Sequence, residues 1–136
     1  MSNPAYVKSV PGQWEEEGIR VADTGEMYSF DNETNDKINL ILEAMDWPQL
    51  VGFNYDGTDR IVAPFVIGVS SGENPLIRGY QLAGDSRSGK GPGWRVFQIR
   101  KMLNLVNQGD FFYPDQYGFS EYYPWIYKVF KTLLGS

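Results

Sequence analysis

The chain has no cysteine and no histidine. Without cysteine there is no disulfide, no thiolate nucleophile and no zinc–thiolate site, and a cytoplasmic location is the simplest expectation. Without histidine the commonest general base and the commonest metal ligand are both missing. An enzyme would have to work with carboxylates, tyrosine, lysine or serine alone, and no nucleophile–base pair stands out. No run of about 18 apolar residues is present, so no membrane-spanning helix is expected. The stretch from Trp14 through Glu17 is too acidic for a signal peptide.

What is present fits one domain with a real core. The chain has 136 residues, of which 42% are hydrophobic and 15% aromatic. Its net charge of -5 is unevenly spread: residues 1–57 carry -8, residues 58–101 carry +4 and residues 102–136 carry -1. An acidic chain is a poor non-specific nucleic-acid binder, because phosphate affinity grows with accumulated Lys and Arg. A basic patch within it suits a small, defined anion. The acidic residues Asp23, Glu26, Asp31, Glu33 and Asp36 lack metal-ligand spacing and read as a solvated face, so neither a metal nor a cofactor is expected.

The positive charge gathers between Leu76 and Met102. A strand carrying Arg78, Tyr80 and Gln81 runs into a ten-residue loop, Gly84 to Gly93, with Ser86, Arg87, Ser88 and Lys90. A second strand follows with Trp94, Arg95, Phe97 and Arg100. The loop has glycine, four residues, then Gly-Lys, as in a phosphate-binding loop. Gly91 stands where a hydroxyl would hold magnesium, however, and a strand follows where a helix should. Two readings of the loop stay open: an anion nest of backbone amides with Arg87 and Lys90, or a plain hairpin loop. Arg78 and Arg95 sit on strands among apolar neighbours, and a buried arginine needs a partner. That partner is either a carboxylate of the acidic half or a bound phosphate or carboxylate. Tyr80 stacks on a base or packs in the core.

Around this stretch the pattern predicts further elements. Residues 1–34 form either short strands at Gly18–Ala22 and Glu26–Phe30 or an extended arm packed on the domain or on a neighbour. Ile38, Ile41, Leu42 and Met45 mark a helix over Asn35–Asp46, capped by Asn35 and ended by Pro48. Leu50–Tyr55 and Arg60–Val69 make a hairpin about Asp56–Asp59. Pro64 within it requires an edge or a bulge. Leu103–Tyr117 is a connection rich in aromatic residues. Ile126, Val129, Phe130 and Leu133 predict a closing helix over Tyr122–Leu134, capped by Ser120, with Pro124 in its first turn. The fold class expected is α+β, mainly β. It is a small, strongly bent antiparallel sheet or barrel, with one preceding helix and a C-terminal helix covering one face.

The order of motifs resembles the WYL domain family. The chain has Tyr55-Asp56-Gly57-Thr58-Asp59-Arg60-Ile61-Val62-Ala63-Pro64-Phe65 where that family has a hairpin and an Arg-Val-x-Pro strand. It has Arg78-Gly79-Tyr80-Gln81-Leu82 at the naming triplet and Trp94-Arg95-Val96-Phe97 leading into Arg100-Lys101-Met102 at the basic strand. Gly79 and Gln81 stand at the Trp and Leu of the triplet, and Gln98 stands where an arginine is expected. The resemblance spans roughly residues 36 to 102 and makes 35–136 a WYL-like domain behind the arm. It implies an Sm/SH3-like barrel that senses ligand or nucleic acid, with Tyr80 and Arg95 in the pocket and Arg78 and Arg100 beside it. A free-standing member suggests a phage or mobile-element protein that sequesters a nucleotide signal. The expected function is therefore a non-enzymatic regulatory module. It binds a nucleotide or a short single-stranded nucleic acid through Arg78, Tyr80, Gln81, Ser86, Arg87, Ser88, Lys90, Arg95 and Arg100. The alternative is an interaction protein whose aromatic segment Phe111–Trp125 joins copies into a homo-oligomer.

Overall fold

The computed structural model describes residues 18–84, 91–120 and 123–133. A short hairpin, β1 (Ile19–Arg20) and β2 (Met27–Tyr28), leads into the helix α1 (Asn32–Asp46). Strands β3 (Gln49–Tyr55), β4 (Thr58–Val69), β5 (Pro75–Ala83) and β6 (Gly93–Gln98) follow in antiparallel order. A 3-10 turn (Ile99–Lys101) connects to β7 (Leu103–Phe111), a second one spans Pro114–Tyr117, and the last strand is β8 (Lys128–Thr132). The main sheet runs β6-β5-β4-β3-β7, and β8 lies beside β4. Strands make up 48% of the described residues, so the mainly-β class stands.

Helix α1 begins three residues before the expected start. Asp31 is the N-cap: its carboxylate accepts from the Thr34 amide at 3.1 Å and the Thr34 hydroxyl at 2.7 Å. The hydroxyl bond holds the Asp31 carboxyl below the usual carboxylate range. Asn35 instead clasps the Phe30 backbone, donating to its carbonyl at 3.1 Å and accepting from its amide at 3.2 Å.

Two expectations are overturned. The first is the C-terminal covering helix. Residues 128–132 are strand β8, paired antiparallel with the second half of β4 from Val66 to Val69. Val129 and Phe130 reach opposite cores, as neighbours on a strand must. The spacing of Ile126, Val129, Phe130 and Leu133 fits both periods, and the β-branched and aromatic content of 128–132 favours the sheet. The expected ends of that helix, Tyr122 and Leu134, lie outside the described residues. The second is the barrel. Strands β6 and β7 stand at opposite ends of the pairing order, so among the described residues the sheet is open. The segment from Leu103, expected to be a connection, supplies the strand at one of those ends. Its alternation is hidden by bulges, because register shifts interrupt its pairing with β3.

The sheet separates two cores. On one face α1 lays Ile38, Ile41, Ala44 and Met45 over Val51, Phe53, Val62, Ile77 and Phe97. Residues 19–30 pack on the domain at the same face: Ala22 donates to the Val129 carbonyl at 2.9 Å, and Tyr28 meets Phe130 with ring centres 5.9 Å apart. Among the described residues no α-helix covers the other face. Phe112, Tyr117, Phe119, Tyr123 and Ile126, from the segment between β7 and β8, pack on Ala63, Phe65, Val66 and Leu76.

Pro64 lies in the central strand and is accommodated by a bulge, since the β4–β5 register shifts between Pro64 and Val66. The shift turns both Phe65 and Val66 toward the second core. Gly79 pairs with Pro64 there. A Cβ on Gly79 would lie 2.7 Å from both the Ala63 carbonyl oxygen and Val62 Cγ1. This close approach leaves room only for glycine at position 79. Gly79→Ala is expected to destabilise the domain by about 1–3 kcal/mol, as overpacking does. Urea unfolding checks it, and a change below about 0.5 kcal/mol would mean that the strands separate easily here.

Candidate functional site

Strands β5 and β6 decide which side chains meet. In their register Arg78 lies opposite Val96 and Tyr80 opposite Trp94, whereas Gly79 lies opposite Arg95. Cross-strand partners share a face and successive residues alternate. Arg78, Tyr80 and Trp94 therefore face the aromatic segment together, while Gln81 and Arg95 point to the opposite side of the sheet.

The face with Arg78 is built from rings. Its guanidinium carbon lies 4.9 Å from the Trp94 ring centre and 5.7 Å from that of Trp125. Tyr80 stacks on Tyr117 at 4.6 Å and meets Trp94 edge-on at 5.5 Å. The Trp94 indole N–H donates to the Tyr117 carbonyl at 3.3 Å, which fastens the segment to the sheet. Phe119 stacks on Phe65 at 5.1 Å. Trp125 stays 50% exposed, so the cluster opens to solvent beside Arg78.

The electrostatics of this face are unusual. The four ion pairs among the described residues all use lysine: Lys37–Glu33, Lys101–Asp56, Lys128–Glu26 and Lys131–Asp46. Among the described residues no arginine is paired with a carboxylate. There Arg78 meets the two indoles, and its buried Nε has no hydrogen-bond partner. Burial pulls its proton affinity below that of an ordinary guanidinium, although arginine remains charged at neutral pH. Burial also raises the Tyr117 phenol, helped by nearby Tyr80, so that ring remains a neutral donor.

The other expected site residues do not join Arg78 and Tyr80. Gln81 is fully buried. Its carbonyl accepts from Arg60 Nη1 at 3.1 Å and its amide donates to the Gly84 carbonyl at 3.0 Å. It serves the buried Arg60, which also donates to the Thr58 hydroxyl at 2.7 Å and the Tyr55 carbonyl at 3.0 Å. Arg95 bonds to the Trp94 carbonyl at 3.1 Å and to the Gly91 carbonyl. Arg100 is exposed, with its guanidinium 5.4 Å from the Phe30 ring centre and its Nη1 3.5 Å from Asn74 Oδ1. Ser86, Arg87, Ser88 and Lys90 lie outside the described residues. The three guanidinium groups expected to converge on Tyr80 thus separate, with Arg78 alone beside it. Trp94, Tyr117 and Trp125 take the places beside Arg78 and Tyr80. The clustering of aromatics between 111 and 125 was the signal for the last two.

Among the described residues no group of His, Cys, Asp and Glu is placed to hold a metal, and no helix is long and apolar enough to cross a membrane. Comparison of the chain with protein-family models, with curated proteins and with solved structures returns no match. The resemblance to WYL domains is neither supported nor opposed by them.

Proposed function

We propose that the protein is a non-enzymatic binding module for an anionic ligand with a planar ring, a nucleotide or a short single-stranded nucleic acid, held on the Arg78–Tyr80–Trp94–Trp125 face. The observation that carries this reading is Arg78, a half-buried guanidinium between two indoles with no carboxylate partner among the described residues. Cations in structural roles are usually neutralised by the protein, as the lysines here are. A guanidinium left with rings alone keeps its charge for an external phosphate, and the half-exposed Trp125 offers a stacking surface for a base. A regulatory or sequestering role follows, because nothing on this face supplies a nucleophile and base. Such a nucleotide is met in the cytoplasm, which agrees with a chain free of cysteine.

Isothermal titration with mono-, di- and cyclic nucleotides and with short oligonucleotides tests the reading. Binding by one of them is expected to weaken about tenfold or more in Arg78→Ala, equal to about 1.4 kcal/mol. Trp125→Ala should lose about 1–3 kcal/mol, the range for one base stacked on an aromatic ring. Arg95→Ala, on the opposite face, should bind as the parent does. A log–log salt slope of about one or two marks a nucleotide and a steeper one a polynucleotide. Failure of every ligand to bind, or unchanged affinity in Arg78→Ala, overturns the proposal.

A further inference from the structure

Strand β7 is exposed to an extent that no other strand of the main sheet shows. Apart from Leu105, which packs against the helix-side core, every residue from Leu103 to Phe111 is exposed. One of its edges pairs with β3, and among the described residues the other pairs with nothing. Of the eight large hydrophobic side chains exposed among the described residues, five lie on or beside it: Trp47, Leu103, Val106, Phe111 and Tyr113. Phe111 pairs with Gln49, and Phe112 donates to the Pro48 carbonyl at 3.0 Å, which brings Tyr113 alongside Trp47. An unguarded edge usually carries lysine or proline against unwanted pairing. The sequence LNLVNQGDF has neither, and Asp110 is its one charge.

We propose that β7 is a self-association strand, pairing antiparallel with β7 of a second copy of this chain about a two-fold axis. Two features favour a copy over a foreign strand. The first is charge. Arg100, which pairs with no described carboxylate, precedes β7, whereas Asp110 and Asp115 lie at and beyond its end. Antiparallel pairing sets the basic end of each copy against the acidic, aromatic end of the other, twice over, as a two-fold interface requires. The second is shape. Asn104 and Gly109 have positive φ (56° and 84°) and lie where the ladder with β3 shifts register. Between them Val106 and Asn107 pair regularly with Gly52 and Val51. Matching that stretch with its copy sets Asn104 of one chain against Gly109 of the other, so the irregular positions coincide and do not interrupt the new ladder. Leu103, Val106 and Phe111 then become buried in a sheet continuous through both copies. The interface lies at the far end of the sheet from Arg78 and is independent of ligand binding.

Sedimentation equilibrium of the full chain tests this. A dimer is expected, with a Kd of about 10 μM or tighter. Val106→Lys, at an exposed position in the centre of the strand, should weaken it at least tenfold with an unchanged circular dichroism spectrum. Asp110→Arg should also weaken it, and adding Arg100→Asp should restore much of the loss. That charge exchange decides the matter if Val106→Lys disturbs folding. A parent chain that stays monomeric overturns the proposal. So does a dimer indifferent to Val106→Lys and to the charge exchange, or one broken by Trp125→Ser instead.

Discussion

Phe65→Ala is expected to lower the unfolding free energy by about 3–5 kcal/mol, the cost of removing a large ring from a packed core. Phe65 is fully buried and sits where the bulge after Pro64 points it into the second core. It contacts Trp94 at 4.8 Å, Phe119 at 5.1 Å, Phe112 at 5.5 Å and Tyr117 at 6.2 Å between ring centres. These neighbours come mostly from an irregular segment without a ladder of its own, so the ring is the peg on which residues 112–119 hang. Domains of this size are stable by about 5–15 kcal/mol, and the loss would be a large part of that. Urea unfolding measures it, with Glu43→Ala, at an exposed position of α1, as the control within about 0.5 kcal/mol of the parent. Amide exchange should quicken first at 112–119. A loss below about 1 kcal/mol would mean that the aromatic segment is not seated as described, because a cavity this size cannot close without cost.

The second large effect concerns Gln81. Gln81→Leu should cost about 3 kcal/mol, more than its replacement by an apolar residue of similar size would suggest. The reason lies in Arg60, which is 4% exposed and has no carboxylate among the described residues. Its guanidinium depends on three neutral acceptors, in Gln81, Tyr55 and Thr58, and lies 5.5 Å from the Tyr55 ring centre. Loss of Gln81 leaves one nitrogen of a buried cation without an acceptor and frees the Gly84 carbonyl. Loss of both partners leaves fewer orphans than the two single losses combined. Arg60→Met with Gln81→Leu should therefore be less destabilising than the sum of the single changes, with a coupling of about 0.5–3 kcal/mol. Strict additivity would show that the two side chains do not depend on each other.

How far the sequence discloses this molecule depends on the range of the interactions concerned. The hairpin about Asp56–Gly57, the strand with Arg78 and Tyr80 and the helix stripe of Ile38, Ile41 and Met45 were legible because neighbours along the chain decide them. The Asp31 cap was missed in favour of Asn35, since both residue types suit the role and only Thr34's position distinguishes them. Residues 128–132 read as helix because Val129, Phe130 and Leu133 fit two periods, and the choice is made by an open edge on β4 some sixty residues earlier. In the candidate site, Arg78 and Tyr80 were recognisable as an arginine and a ring on one strand face. Their actual neighbours, Trp94, Tyr117 and Trp125, require the chain to fold back over the sheet. Arg95 was misplaced for a simpler reason: which residues of two strands share a face follows from register, and a ten-residue loop leaves register undefined.

Strand β4 has one further consequence. Its first half is flanked by β3 and its second half by β8 on that same side, so one side of the strand is completed by two segments made at very different times. During synthesis β3 is already at hand, but the seam beside Val66–Val69 stays unzipped until residues 128–132 leave the ribosome. The β1–β2 hairpin waits as well, because it is moored to Val129 and Lys128. The hairpin thus finds its berth only when a segment made much later arrives, and until then a growing chain leaves that side of Val66–Val69 unpaired.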